Sequence, residues 1–323
     1  MKKILSIMLI LCMVVALAAC SAGNSNETSE TAKATKYRFV TGGESGTYYA
    51  FGSVLAQHAT NNAGIDVVGV VGNGSQANIE EMEANTAQFA FCQSDVMAYA
   101  YAGTNLFEKK VDCFSTLAAL YTEQVQIVTL NPEIKTVADL KGKKVSIGAA
   151  GSGVYFNAID VLGCYDLKEE DIQPTYQSFG DSADALKDGL IDAAFIVAGA
   201  PTTAVTSLSA TKQVYLVSID DEHIDKLLKS SPYYTKCTIA KDSYNTPNDI
   251  TTVGVGAVVL VRNDVSEDAA YAFVKDIFEN AESQVKNHAK YGELNLDYAT
   301  SITSVPYHPG AAKYFKEKGY TVA

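Results

Sequence analysis

Short runs of β-branched and aromatic residues recur at Tyr37–Thr41, Ile65–Val71, Phe89–Cys92, Val125–Leu130, Lys144–Ile147, Ala193–Val197, Val214–Ile219 and Val253–Val261. Segments with helical periodicity fall between them. Strands that alternate with helices across short glycine-rich turns predict an α/β fold with largely parallel sheets. Capping signals support the same division. Thr136 and Asp139 are spaced as a capping box opening a short helix that Gly142 ends. Ser266-Glu267-Asp268 opens a helix that runs to about Asn280, and Pro309 sits at a first helical position with Gly319 at the far end. There is no internal repeat.

The amino terminus breaks this alternation. Lys2 and Lys3 precede an apolar stretch from Ile4 to Leu17, too short to span a bilayer comfortably. It ends in Leu17-Ala18-Ala19-Cys20, which resembles the bacterial lipoprotein signal, with Cys20 as the lipidated residue. Residues 1–19 are therefore expected to be a signal peptide. Residues 20–35 contain no large apolar side chain and read as a flexible tether. The expected location is outside the cytoplasm, anchored to the cell membrane through the lipid on Cys20.

With 323 residues and 47% hydrophobic content, the chain is long enough for two domains and too apolar for disorder. A mean hydropathy of +0.02 excludes a multi-span membrane protein. The net charge of −12 makes a nucleic-acid partner unexpected. Cys92, Cys113, Cys164 and Cys237 form no CxxC pair; each adjoins an apolar stretch, and both disulfides and buried free thiols fit the pattern.

Four times a strand runs into a turn of small polar residues and then a helix start. The turns are Thr41–Tyr49, Gly72–Asn78, Gln93–Asp95 and Gly148–Val154. Each would present free backbone N–H groups, small hydroxyls and the positive end of a helix dipole. In doubly wound sheets such turns gather at the carboxyl edge of the strands, where ligands bind. The only arginines, Arg38 and Arg262, lie outside these turns, so a bidentate guanidinium clamp is not evident. The turns predict an anion site built from helix N-termini and hydroxyls, although each serine or threonine also fits an ordinary N-cap.

Enzyme signatures fail. GxxxxGK[ST], GxGxxG, GxSxG and HExxH are all absent. His58 reads as a surface or packing residue, and His308 as shaping the helix start at Pro309. No catalytic residue, metal ligand or cofactor is expected.

The motifs Thr41-Gly42-Gly43, Gly46-Thr47-Tyr48-Tyr49, Gly74-Ser75, Asn78-Ile79, Gln93-Ser94-Asp95-Val96 and Ala119-Leu120-Tyr121 with Glu123 carry a family resemblance. So do Asp139–Gly148, Gly151-Ser152-Gly153, Ala185–Phe195, Gly199-Ala200-Pro201 and Pro306–Ala311. Over about residues 37–315 the chain resembles the TAXI group, the solute receptors of tripartite ATP-independent periplasmic (TRAP) transporters. Ala50 departs from the proline common in that family. The resemblance implies a two-lobed periplasmic-binding-protein fold of type II, with two crossover strands and the ligand in the interlobe cleft. Lobe 1 would comprise 36–124 plus 262–323 and lobe 2 would comprise 125–252, with 253–261 as the returning strand.

The resemblance also implies a small carboxylate ligand, such as glutamate, glutamine or a related organic acid, handed to permease subunits driven by an ion gradient. Matched positions carry ligand contacts onto Thr47, Tyr48, Ser75, Asn78, Gln93, Ser94, Ser152, Gly153, Val154 and Pro201. Tyr48 would offer an aromatic wall and a hydroxyl, or else be a core tyrosine. Two other functions fit such a scaffold: an extracytoplasmic enzyme, or a surface lipoprotein with a vestigial cleft.

Overall fold

The computed structural model describes residues 35–323; the signal segment 1–19, Cys20 and the tether to residue 34 lie outside them. Ten strands form one sheet: β1 (Lys36–Val40), β2 (Asp66–Val70), β3 (Phe89–Gln93), β4 (Phe114–Thr129), β5 (Lys144–Ser146), β6 (Gln173–Thr175), β7 (Ala193–Ala198), β8 (Tyr215–Leu216), β9 (Thr235–Ile239) and β10 (Ile250–Arg262). Their order is 2-1-3-10-4-7-5-6, with β8 beside β4 and β9 beside β10. Helices α1 (Thr47–Asn62), α2 (Ser75–Glu83) and α3 (Ser94–Ala102) follow β1, β2 and β3. On the other side, α4 (Val154–Cys164), α5 (Phe179–Lys187), α6 (Thr203–Ser209) and α7 (Asp221–Ser230) follow β5, β6, β7 and β8. The chain closes with α8 (Glu267–Glu279), α9 (Ala281–Gln284), α10 (Leu296–Ala299) and α11 (Pro309–Glu317).

Two long strands organise the molecule. β4 and β10 pair antiparallel from Phe114–Arg262 to Gln124–Gly254 and run through the middle of the sheet. β3 flanks β10 at Ala257–Val261, whereas β7 flanks β4 at Gln124–Thr129. The apolar residues of the two strands serve different cores as a result. Leu117, Leu120, Val259 and Val261 pack with Phe39, Phe51, Phe91 and Phe273, while Val125, Ile127, Val253 and Val255 pack with Val145, Val161 and Phe195. Because both of its faces are covered, β10 reads as a near-continuous apolar run from Val253 to Val261, whereas β4 buries Thr116, Glu123, Gln126 and Thr129 among its apolar residues.

The sheet is mixed, which corrects the expectation of largely parallel strands. β1 with β2 and β3, and β5 with β6 and β7, are parallel, but every pairing of β4 and β10 is antiparallel. The reason is topological: a strand that crosses to the second half and one that returns must run in opposite directions. Two strand boundaries also shift. The run at Val125–Leu130 is only the end of a strand that begins at Phe114, and Val214–Ile219 contributes just Tyr215 and Leu216.

The caps follow the sequence reading. The Thr136 backbone N–H donates to Asp139 Oδ2 at 2.8 Å and opens a single 3-10 turn, Val137–Leu140. Ser266 Oγ accepts from the Ala269 N–H and starts α8. His308 Nδ1 accepts from the Gly310 N–H at the start of α11, so this histidine shapes a helix start as expected. His58 is a packing residue, its Nδ1 2.8 Å from Asp276 Oδ2. Cys92, Cys113, Cys164 and Cys237 are free thiols.

Candidate functional site

All four turns singled out in the sequence end in helices at the expected positions: α1, α2, α3 and α4. Three of them bring helix starts to one cavity of about 120 Å³, many times the ~10–15 Å³ that one water requires, and Gln93 of the other lines it too. It lies between the two halves of the sheet. Gly46, Thr47 and Tyr48 reach it from the start of α1, Gly74 and Ser75 from α2, and Ser152, Gly153 and Val154 from α4. A fourth helix start, Ser178–Gly180 at α5, completes the ring. Ser178 Oγ accepts from the Asp181 N–H, so this end is capped by its own side chain.

Close approach across the cavity depends on two glycines. Gly74 has φ +104°, and a Cβ there would stand 3.0 Å from Ser152 Cα. A Cβ on Gly153 would fall 1.8 Å from Gln93 Oε1. Main-chain bonds tie the halves beside these points: the Ala77 N–H donates to Gly151 O at 2.9 Å and the Ala204 N–H to Ser45 O at 3.1 Å. Thr47 Oγ1 donates to Gly199 O at 2.8 Å, and Lys290 Nζ to Ala200 O at 3.1 Å. The cleft is shut.

Of the ten residues assigned ligand contacts, Thr47, Tyr48, Ser75, Gln93, Ser152, Gly153 and Val154 line this cavity. Asn78, Ser94 and Pro201 do not, and their surroundings explain why. Asn78 Nδ2 donates to Thr41 O and Phe91 O, bracing the ends of β1 and β3. Ser94 Oγ accepts from the Gly256 N–H and so ties α3 to β10. Pro201 is exposed, beyond the end of β7.

Two lining side chains hold polar atoms without partners. Gln93 Oε1 and Ser152 Oγ are buried and unbonded, on residues only 2% and 6% exposed. Leaving such groups unpaired costs about 1–3 kcal/mol each. A ligand offering them a donor and an acceptor would recover much of that.

One residue of the cavity entered the sequence reading only as part of a family motif, with no ligand role. Glu123, on β4, is 2% exposed, and the Tyr48 hydroxyl donates to its Oε2 at 2.9 Å. Burial pushes its carboxyl up to about 8, against the pull of the Tyr48 hydrogen bond. Tyr48 is thus both things expected of it: its ring stacks on Phe91 at 4.5 Å within the core, and its hydroxyl reaches the cavity. Among the described lining residues, Glu44 and Glu123 are the only acids, and no lysine, arginine or histidine joins them. Glu123 stands between Thr122 and Gln124, and only the fold creates its burial. The α5 start was more legible, since Ser178 and Asp181 follow a short β-run at capping spacing.

The NMT1-like family profile matches residues 39–319. A protein of Escherichia coli (strain K12), described as an aliphatic sulfonates-binding protein, is 42% identical over 72 residues, which is 22% of this chain and 22% of that protein. The match thus spans about a fifth of that relative's length. Two solved structures share the fold. One, a protein from Bordetella bronchiseptica RB50, superposes with a TM-score of 0.56 at 15% identity, over 87% of this chain and 96% of that one. The other, from Listeria monocytogenes and described as an L-cystine ABC transporter, gives 0.51 at 14% identity, over 84% and 99%. The fold is the two-lobed α/β type of the periplasmic binding proteins.

Proposed function

This chain belongs to the NMT1-like family, and from that premise we propose that it is an extracytoplasmic solute receptor. It binds a small carboxylate between its lobes and delivers it to a membrane permease. Lobe 1 is 36–124 with 262–323, lobe 2 is 125–252, and 253–261 returns between them. Cys20 carries the lipid that holds the receptor at the membrane. The motifs resembling TAXI receptors favour a permease of the TRAP type, driven by an ion gradient. The observation that carries the reading is the ring of four helix N-termini around unpartnered Gln93 Oε1 and Ser152 Oγ, with no basic side chain in the lining. Backbone N–H groups at helix starts accept anions without a side-chain countercharge.

A second ligand class, an aliphatic sulfonate, is supported by the 72-residue likeness to the sulfonates-binding protein. A thermal-shift screen separates the two. Ligand at 100 times its dissociation constant stabilises the folded state by about 2.7 kcal/mol, enough to raise the melting temperature by at least roughly 2 °C in a chain of this size. Glutamate, glutamine, glutarate and keto acids are expected to shift it. A response to ethanesulfonate alone would move the assignment to sulfonates, and a response to neutral sugars alone would end the acid reading.

A further inference from the structure

We infer that Glu123 is a ligand-contacting acid that keeps its proton and offers it to the bound anion, so that the cleft holds anionic ligands and releases them as the medium becomes alkaline. This rests on the acid-receptor reading above and deepens it.

The placement of Glu123 carries the inference. Its carboxyl lies at the bottom of a cavity whose other polar groups are helix-start N–H groups, Ser75, Gln93 and Ser152. An anionic ligand drawn there by four helix dipoles would meet a second anion if Glu123 were ionised, and two like charges cannot share a dry site. No cation in the lining relieves that conflict. The nearest ammonium, Lys290, is itself buried and committed elsewhere: its Nζ pairs with Glu293 and donates to Ala200 O. Tyr48 donates to Oε2 and leaves the other oxygen to hold the proton.

The remaining neighbours pull in both directions. Tyr121 precedes Glu123 on β4, Cys92 and Gln93 come from β3, Asp95 from α3 and Tyr298 from α10. Asp95 is an acid and repels a charge on Glu123, whereas the hydrogen bonds from Tyr48 and Gln93 and the distant charge of Lys290 favour one. Burial outweighs them and places the carboxyl at about 8, so the group is mostly neutral at pH 7. A protonated carboxyl donates one hydrogen bond that a carboxylate ligand can accept.

The test has a ligand-free arm and a ligand arm. Infrared difference spectra of wild type against Glu123→Gln at pH 7 are expected to show a carboxylic-acid C=O band that fades above about pH 8. Glutarate, whose own groups do not titrate between pH 6 and 10, is then titrated into both proteins by calorimetry. Wild-type affinity is expected to be level to about pH 8 and to fall up to about tenfold per pH unit beyond it. Glu123→Gln, whose amide keeps a donor at every pH, should bind glutarate more tightly than wild type at pH 9.5. Glu123→Ala, which has no donor, should bind about tenfold or more weakly at pH 7. Absence of the acid band, or a wild-type affinity that stays level or rises to pH 10 while an acid still binds, overturns the role of Glu123 and leaves the receptor standing. If no acid in the screen binds, the receptor reading itself fails, and this inference with it.

Discussion

Ser152 and Gly153 show how little side chain this cleft uses. Gly153 must lack a Cβ because Gln93 Oε1 occupies that space, and Ser152 brings a hydroxyl that has no partner within the protein. Its function is therefore separable from stability. Ser152→Ala removes a group whose bonding potential is unused in the ligand-free chain, so the melting temperature without ligand should stay nearly unchanged or rise slightly. Affinity for the acid found by screening should weaken by about 1–3 kcal/mol. Calorimetry and melting curves on the same variant check both halves. A destabilised protein with full affinity would make Ser152 a structural residue only.

At the scale of elements, α3 and α4 face each other across the closed cleft through buried polar groups. Asn157 Nδ2 donates to Asp95 Oδ2 and to the Tyr234 hydroxyl, both at 2.9 Å, and Tyr234 in turn donates to Asp160 Oδ2 at 2.8 Å. Burial pushes Asp95 up to about 7 from 3.8, with the Asp160 charge adding to it. The folded state therefore holds this proton at pH values where the unfolded chain has released it. Stability from this group is full below about pH 4 and is withdrawn as pH rises towards 7. Asp95→Asn lacks that loss. Urea titrations should show the variant gaining on wild type between about pH 4 and 7 and holding a constant margin above. A margin independent of pH would mean that Asp95 is ionised throughout.

On the scale of the whole molecule, two cores joined by β4 and β10 can turn as rigid bodies about the strands between them. The hydrogen bonds that hold the cleft shut include Ala77 to Gly151, Ala204 to Ser45, Thr47 to Gly199, Lys290 to Ala200 and Asn157 to Asp95, beside ring contacts of Tyr99 with Phe156 and Tyr233. Water can replace the hydrogen bonds on opening, so the ring contacts and the ligand together decide the balance. Small-angle scattering should give a smaller radius of gyration at ligand saturation than in its absence. An unchanged profile would show that the closed arrangement persists without ligand.

The sequence by itself determined what depends on neighbours along the chain. Strand–turn–helix units, the caps at Thr136, Ser266 and His308, and the small polar residues at four helix starts were all legible, because hydrogen bonding within a few residues and hydrophobic periodicity create them. Seven of the ten residues given ligand roles meet at one cavity for the same reason: they occupy helix starts after strands, and such starts gather at one sheet edge. Only the tertiary structure decided which of these groups spend their bonds on the fold. Asn78 and Ser94 looked like Ser152 in sequence, yet the Asn78 amide nitrogen and the Ser94 hydroxyl bond to partners 13 to 162 residues away. The antiparallel course of β4 and β10 was equally hidden, since a buried strand reads the same in either direction. Glu123 is the sharpest case. Its sequence neighbours Thr122 and Gln124 are polar, as those of a solvent-facing acid would be, and its burial follows from residues that the chain brings together from 75 positions before it, at Tyr48, to 175 after it, at Tyr298.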